Sequence, residues 1–115
     1  MEATGITTAM AALQISTAIS EMKAQLARLM AKFERAVMQV EKLEAEMEEV
    51  EVRLQRAIDD ENKVFVRMLD SKLSNLEHVR HMYVLYAKET DKKIRPLRAT
   101  LAQLTALQAS QQASQ

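Results

Sequence analysis

The first half of the chain carries an uninterrupted apolar repeat, and this feature limits the possible folds more than any other. From Ala12 to Ala57, apolar residues recur at steps that alternate between three and four. This spacing places every one of these side chains on one side of an α-helix, as in a coiled-coil seam. A helix over about residues 7–58 would be on the order of 75 Å long. Because such a helix cannot fold around itself, the repeat predicts packing against another helix. The predicted interaction seam on it is Ile15, Ile19, Met22, Leu26, Leu29, Phe33, Val40, Leu43, Met47, Val50 and Leu54.

Composition agrees with an all-α fold. Among 115 residues there is one glycine, one proline, no tryptophan and no cysteine. Sheets need turn residues and favour aromatic and β-branched residues, whereas this chain is rich in strong helix formers. The lack of cysteine excludes disulfides, thiolate nucleophiles and sulfur-ligated metals.

A second apolar pattern follows in a shifted frame, with Lys72 as its one polar interruption. The seam predicted there is Phe65, Leu69, Leu76, Val79, Tyr83 and Tyr86. The polar residues 59–62 separate the two frames and favour a turn, because Asp and Asn are poor inside helices and good at caps. A competing turn lies at 70–74, where Ser74 and Glu77 have capping-box spacing. The sequence thus predicts an antiparallel hairpin that assembles into a helical bundle.

A third frame, Ile94–Leu104, surrounds the only proline. Pro96 disfavours helical geometry at Arg95, and the sequence therefore predicts a break at about 90–96, with Thr90 or Asp91 as a cap. A short third helix would follow, and then a polar tail that frays. The predicted organisation is a heptad helix over 1–58, a turn at 59–62, a second helix over 63–95, a short helix over 96–109 and a tail over 110–115.

Charge is arranged in blocks although its formal total is zero. Residues 1–60 hold 11 acids and 7 bases, whereas residues 61–115 hold 5 acids and 9 bases. In a hairpin, basic residues near 23–35 would lie beside others near 88–98, and like-sign belts call for another partner. We therefore expect staggered self-association, in which the acidic segment 41–51 of a second copy meets the basic region. The predicted partner-facing charges are Glu44, Glu46, Glu48, Glu49, Lys88, Lys92 and Arg95.

No pattern in the sequence indicates catalysis, a cofactor or a metal. A single glycine cannot form a phosphate-binding loop. His78 and His81 lie three residues apart, but no third ligand shares their row, and the spacing of the acids fits no calcium loop. A basic stripe near Tyr83 and Tyr86 is typical of single-strand binders, yet zero net charge argues against nucleic acid. We expect neither an enzyme nor a nucleic-acid partner.

The N-terminal region raises the question of a membrane. Residues 3–20 are uncharged but contain seven Thr, Ser and Gln residues, too many for a spanning helix. No Lys or Arg precedes Lys23, so we expect no cleaved secretion signal. The sequence favours a cytoplasmic protein, although the lack of cysteine is also compatible with secretion without a cleaved signal.

These observations predict a non-enzymatic coiled-coil assembly or scaffold subunit within a larger complex. Its partners would be itself, other helical proteins or both, as a homo-oligomer or a hetero-complex subunit. One alternative is a subunit of a secreted or appendage filament, favoured by the charge-free ends. Another is a holdase-type chaperone whose seam receives a client helix, and the weakest is a membrane-active protein using residues 3–20.

Overall fold

The chain forms two long helices joined by a tight turn. The computed structural model describes the backbone of residues 2–113 and the side chains of residues 8–113. Helix α1 is Glu2–Asp59 and helix α2 is Lys63–Ala113, and the described residues contain no strand. The predicted all-α helical hairpin is confirmed. Of the predicted frayed tail, residues 110–113 are helical, and the last two residues lie outside the described part of the chain.

The turn between the helices uses a left-handed residue that is not glycine. Glu61 has φ 54°, and the amide of Asn62 donates to the carbonyl of Ala57 at 3.0 Å while that of Glu61 donates to Ile58 at 3.1 Å. This pair of bonds is the Schellman arrangement that closes a helix C-terminus. Asn62 then caps α2, since its side-chain oxygen accepts from the amide of Phe65 at 3.2 Å. The chain therefore reverses its direction with no linker residues beyond those that cap the two helices.

Replacing Glu61 with glycine is expected to stabilise the hairpin. A residue with a Cβ pays roughly 1 kcal/mol in the left-handed region, and glycine does not. The Glu61→Gly variant should therefore raise the free energy of unfolding by about 1 kcal/mol, as measured by urea denaturation followed by circular dichroism. Asp60→Gly is the matched control, because Asp60 does not have positive φ, and it should be destabilising. An unchanged or lower stability for Glu61→Gly would contradict this account of the turn.

The hairpin consists of two compact units. The first comprises residues 1–31 and 90–115, and the second comprises residues 32–89, including the turn. Each unit contains a stretch of α1 and a stretch of α2.

In the second unit, a small apolar cluster lies between the helices near the turn. Val50 and Ala57 of α1 and Leu69 of α2 are buried together. Further side chains of both helices pack against them and are half-buried, namely Leu54, Val66, Leu73 and Leu76. Because residues from both helices alternate around this cluster, α1 uses its heptad seam to bind α2 of the same chain.

In the first unit, the seam is continued by aliphatic residues. Ile19 of α1 and Ile94 of α2 are buried. At the edge of the seam, a guanidinium nitrogen of Arg98 lies 3.7 Å from the sulfur of Met30.

The predicted third helix is not seen, because α2 continues through Pro96. Proline lacks an amide hydrogen and removes one helical bond, but Pro96 is on the exposed side of α2. Ile94 is buried and Leu97 half-buried on the opposite side, so packing holds the helix on both sides of the proline. Thr90, predicted as a cap, is instead buried inside the continuous helix.

Candidate interaction surface

The seam predicted on α1 lies in the interior of the hairpin. All eleven of its residues are buried or half-buried. Val50 is the most completely covered, with 2% of its surface exposed. Their apolar surface is therefore engaged within the chain, so a partner would have to contact other residues.

The residues predicted to form the seam on α2 are divided between two sides of the helix. Leu69 and Leu76 pack inward, and Tyr83 lies at the margin with 36% exposed. Phe65, Val79 and Tyr86 are exposed, with 41% to 49% of their surface accessible. The other inward-facing positions along this part of α2 are occupied by Val66, Leu73 and Arg80.

The exposed residues of α2 form a second apolar row. It comprises Phe65, Met68, Val79, Met82 and Tyr86, all exposed, and is called the outer row below. With Lys72 and Asn75 at its two middle positions, the row advances by alternate steps of three and four. That spacing keeps the side chains on one face of a helix. The outer row therefore has the pattern of a coiled-coil seam but no described helix covering it.

A charged residue occupies one inward position of α2. The guanidinium of Arg80 donates to a carboxylate oxygen of Glu44 on α1 at 3.0 Å. Both side chains remain partly exposed, so the bond adds little stability, of order 0.5 kcal/mol. Its position fixes which part of α1 lies beside which part of α2. Glu44, predicted to face a partner, is thus paired within the chain.

One end of the outer row borders a recess on the second unit. The recess, called the tyrosine recess below, has a volume of about 190 Å³. Two cationic groups, an amide and two phenol rings surround a buried alanine in it. Its lining residues are Lys32, Arg35, Ala36, Gln39, Tyr83 and Tyr86. Among the residues that the structure describes, no carboxylate lies within ion-pair distance of Lys32 or Arg35.

The other end of the outer row lies near the turn, beside a second recess. Phe65 lines it together with Arg53 and Arg56 of α1, and its volume is about 300 Å³. Both ends of the row thus lie beside cationic residues of α1. The exposed residues Glu46 and Glu49 occupy the stretch of α1 between them and continue the same three-and-four spacing. This edge of α1 is therefore basic, then acidic, then basic again.

The other charges predicted to face a partner are dispersed. Glu48 is exposed on α1, and Lys88 is exposed on α2 within the second unit. In the first unit, Arg95 is 2.8 Å from Asp91 of the same helix, and Lys92 is exposed. The structure brings Glu46 and Glu49 to the edge beside the outer row, but it does not gather the predicted charges into one site.

The described residues offer no evident chemical site. No group of three or more His, Asp or Glu side chains among them is arranged to hold a metal ion, and His78 and His81 are both exposed on α2. In that part of the chain, no helix combines the length and apolar character needed to cross a membrane. The outer row and the recesses at its ends are therefore the features that best suit binding.

Comparison with known protein families, curated proteins and solved structures finds no match to this chain. Function is accordingly inferred from packing, exposure and charge. Two contributors to the surface were not part of the predicted seam: Met68 and Met82. Their signal in the sequence is the three-residue step after Phe65 and after Val79.

Proposed function

We propose that this chain is a non-enzymatic assembly subunit that associates, through an exposed helical surface, with further copies of itself within a larger complex. The observation that carries the proposal is the outer row of α2. Five large apolar side chains at heptad spacing are exposed on one face. Large apolar side chains exposed together on one face mark protein contacts, and the three-and-four spacing of the row, with Lys72 and Asn75 at its middle positions, fits another helix.

The use of the α1 seam supports this choice among the functions predicted from the sequence. A holdase-type chaperone would offer that seam to a client, but α2 of the same chain occupies it. Because the seam is occupied in the closed hairpin, the outer row is the surface that we propose for assembly. A filament subunit would use the same row in an open arrangement, so the filament alternative differs in geometry and not in the surface used. The cytoplasmic location stays a prediction.

Thiol labelling tests whether association covers the outer row. The chain has no cysteine, so a Met82→Cys variant carries a single thiol on the row, and Met38→Cys carries one on α1. Met82 and Met38 are both 55% exposed, which makes the second variant a matched control. Raising the protein concentration should slow maleimide labelling several-fold for Met82→Cys and leave Met38→Cys unaffected. Equal, concentration-independent rates would overturn the proposal.

A further inference from the structure

We propose that the tyrosine recess of one copy receives the acidic pair Glu46 and Glu49 of a second copy, in a two-fold symmetric pairing centred on Met82. This inference rests on the proposed function, and it specifies both the partner and the contact surface. The recess, the acidic pair and the outer row all lie within the unit formed by residues 32–89.

The chemistry of the tyrosine recess suits carboxylates. Lys32 and Arg35 supply positive charge, and Arg35 has the planar guanidinium that binds a carboxylate through two parallel hydrogen bonds. Gln39 and the Tyr83 phenol group can donate further hydrogen bonds. The rest of the lining is the two phenol rings and Ala36, which is 3% exposed. A glutamate entering this recess would therefore be partly desolvated, which strengthens its attraction to the two cations.

The acidic pair is arranged to enter such a site. Glu46 and Glu49 are one helical turn apart, so both project from the same side of α1. Both are exposed, and no described cation lies within ion-pair distance of either carboxylate. The hairpin thus carries an unpaired basic pair and an unpaired acidic pair on one edge, which is the condition for self-complementarity between two copies.

The positions of the two pairs define a symmetry axis. In a two-fold contact, residue i meets j and residue j meets i, so the axis must lie midway between the basic and acidic pairs. That midpoint on α1 falls between Gln39, which lines the tyrosine recess, and Glu44, which contacts Arg80. The stretch of α2 at this level contains Met82. The axis therefore passes through the apolar outer row, where each copy can bury its Val79 and Met82 against the other copy.

Pairing of the acidic residues with the other basic pair fits less well. If Glu46 and Glu49 met Arg53 and Arg56 of a second copy, the axis would lie near Val50 on α1. Val50 clusters with residues next to Lys72 on α2, so two copies of Lys72 would come together at the centre of the row. Like charges in direct contact across an interface repel each other and weaken association. The arrangement through the tyrosine recess also brings a lysine, Lys42, close to the axis, but there Lys42 of one copy lies opposite Gln39 of the other, whose amide oxygen can accept a hydrogen bond from it.

A charge exchange between two variants tests the pairing. The Lys32→Glu/Arg35→Glu variant places acids opposite acids, and the Glu46→Lys/Glu49→Lys variant places bases opposite bases. Each alone should weaken self-association at least about tenfold in dissociation constant, measured by analytical ultracentrifugation. In a mixture of the two, both contacts of the heterodimer join opposite charges. Mixing should therefore restore the affinity of the unmodified chain.

A matched control separates the proposed contact from the general effect of a change in net charge. Glu41→Lys/Glu48→Lys makes the same change in net charge on exposed α1 positions outside the contact, and it should keep the original affinity. Failure of the mixture to restore association would overturn the pairing, and so would equal weakening in the control. If only substitutions in the outer row disrupted assembly, the pairing would be wrong while the proposed function stood. A monomeric unmodified chain would overturn both.

Discussion

Replacing Val50 with aspartate is expected to lower the free energy of unfolding by about 4 kcal/mol. Val50 is 2% exposed and lies in the cluster with Ala57 and Leu69. The substitution removes apolar contacts and places a carboxylate where no described side chain can donate to it. For a chain of this size that loss is a large fraction of the total stability. Urea denaturation followed by circular dichroism at 222 nm measures it.

Val52 provides a control of the same residue type, two positions along the same helix. It is 62% exposed, so Val52→Asp changes helix propensity and charge as the first variant does but leaves the interior intact. Its effect should stay within about 0.5 kcal/mol. Similar losses for the two variants would show that Val50 does not face α2, and the described hairpin would be wrong.

The second large effect is expected on association. The double variant Val79→Asp/Met82→Asp places two charges on the outer row, where the proposal buries both side chains against a second copy. Losing that apolar contact and desolvating two carboxylates should raise the dissociation constant at least about a hundredfold. The hairpin itself should persist, because both residues are exposed in the single chain. Sedimentation equilibrium measures the first effect and circular dichroism the second.

Two further exposed valines supply the control for this variant. Val52 on α1 and Val64 on α2 are 62% and 70% exposed and lie outside the outer row. The double variant Val52→Asp/Val64→Asp adds the same charge and removes a comparable apolar area. It should associate as the unmodified chain does. If it dissociated to the same extent, general charge repulsion would explain the effect, and the row would have no specific role.

The first helix could be predicted almost completely from its sequence. Every seam position between Ala12 and Ala57 is apolar, and none of the neighbouring rows repeats as regularly. A single strong periodicity leaves only one choice of buried face, and the structure buries that face. What the periodicity does not define is the identity of the partner helix, which is α2 of the same chain.

The buried face of the second helix was harder to predict, because two rows compete on it. The inward row includes the polar residues Arg80 and Thr90, which interrupt its apolar pattern. The outer row includes Phe65, Val79 and Tyr86, which resemble core residues. Arg80 is tolerated inward because its long side chain reaches Glu44 at the edge. Such a contact between distant positions cannot be deduced from spacing alone.

Two local signals conflicted with the outcome at the turn and at the proline. Glycine normally occupies the left-handed position at a helix C-terminus, but here Glu61 occupies it. Pro96 normally ends or kinks a helix, yet inward packing holds α2 continuous around it. In both places tertiary packing outweighs a local preference of about 1–3 kcal/mol.

The tyrosine recess could not be predicted either, because it combines residues of both helices. Lys32 and Arg35 belong to α1, and Tyr83 and Tyr86 belong to α2. The sequence indicated a basic region and two tyrosines but assigned both tyrosines to the seam. Their proximity to the two cations depends on which row of α2 faces inward. If the wrong row of α2 is assumed to face inward, the two tyrosines are not placed beside the two cations, and the recess is not predicted.

Molar mass in solution tests the central claim, assembly through the outer row, most directly. Light scattering after size exclusion should be recorded over a hundredfold concentration range for the unmodified chain and for Val79→Asp/Met82→Asp. We expect the unmodified chain to exceed its monomer mass of 13.1 kDa and the double variant to remain at that mass with unchanged helicity. A plateau would indicate a closed assembly, and a mass that keeps rising an open one. A mass of 13.1 kDa for both proteins at every concentration would contradict the account.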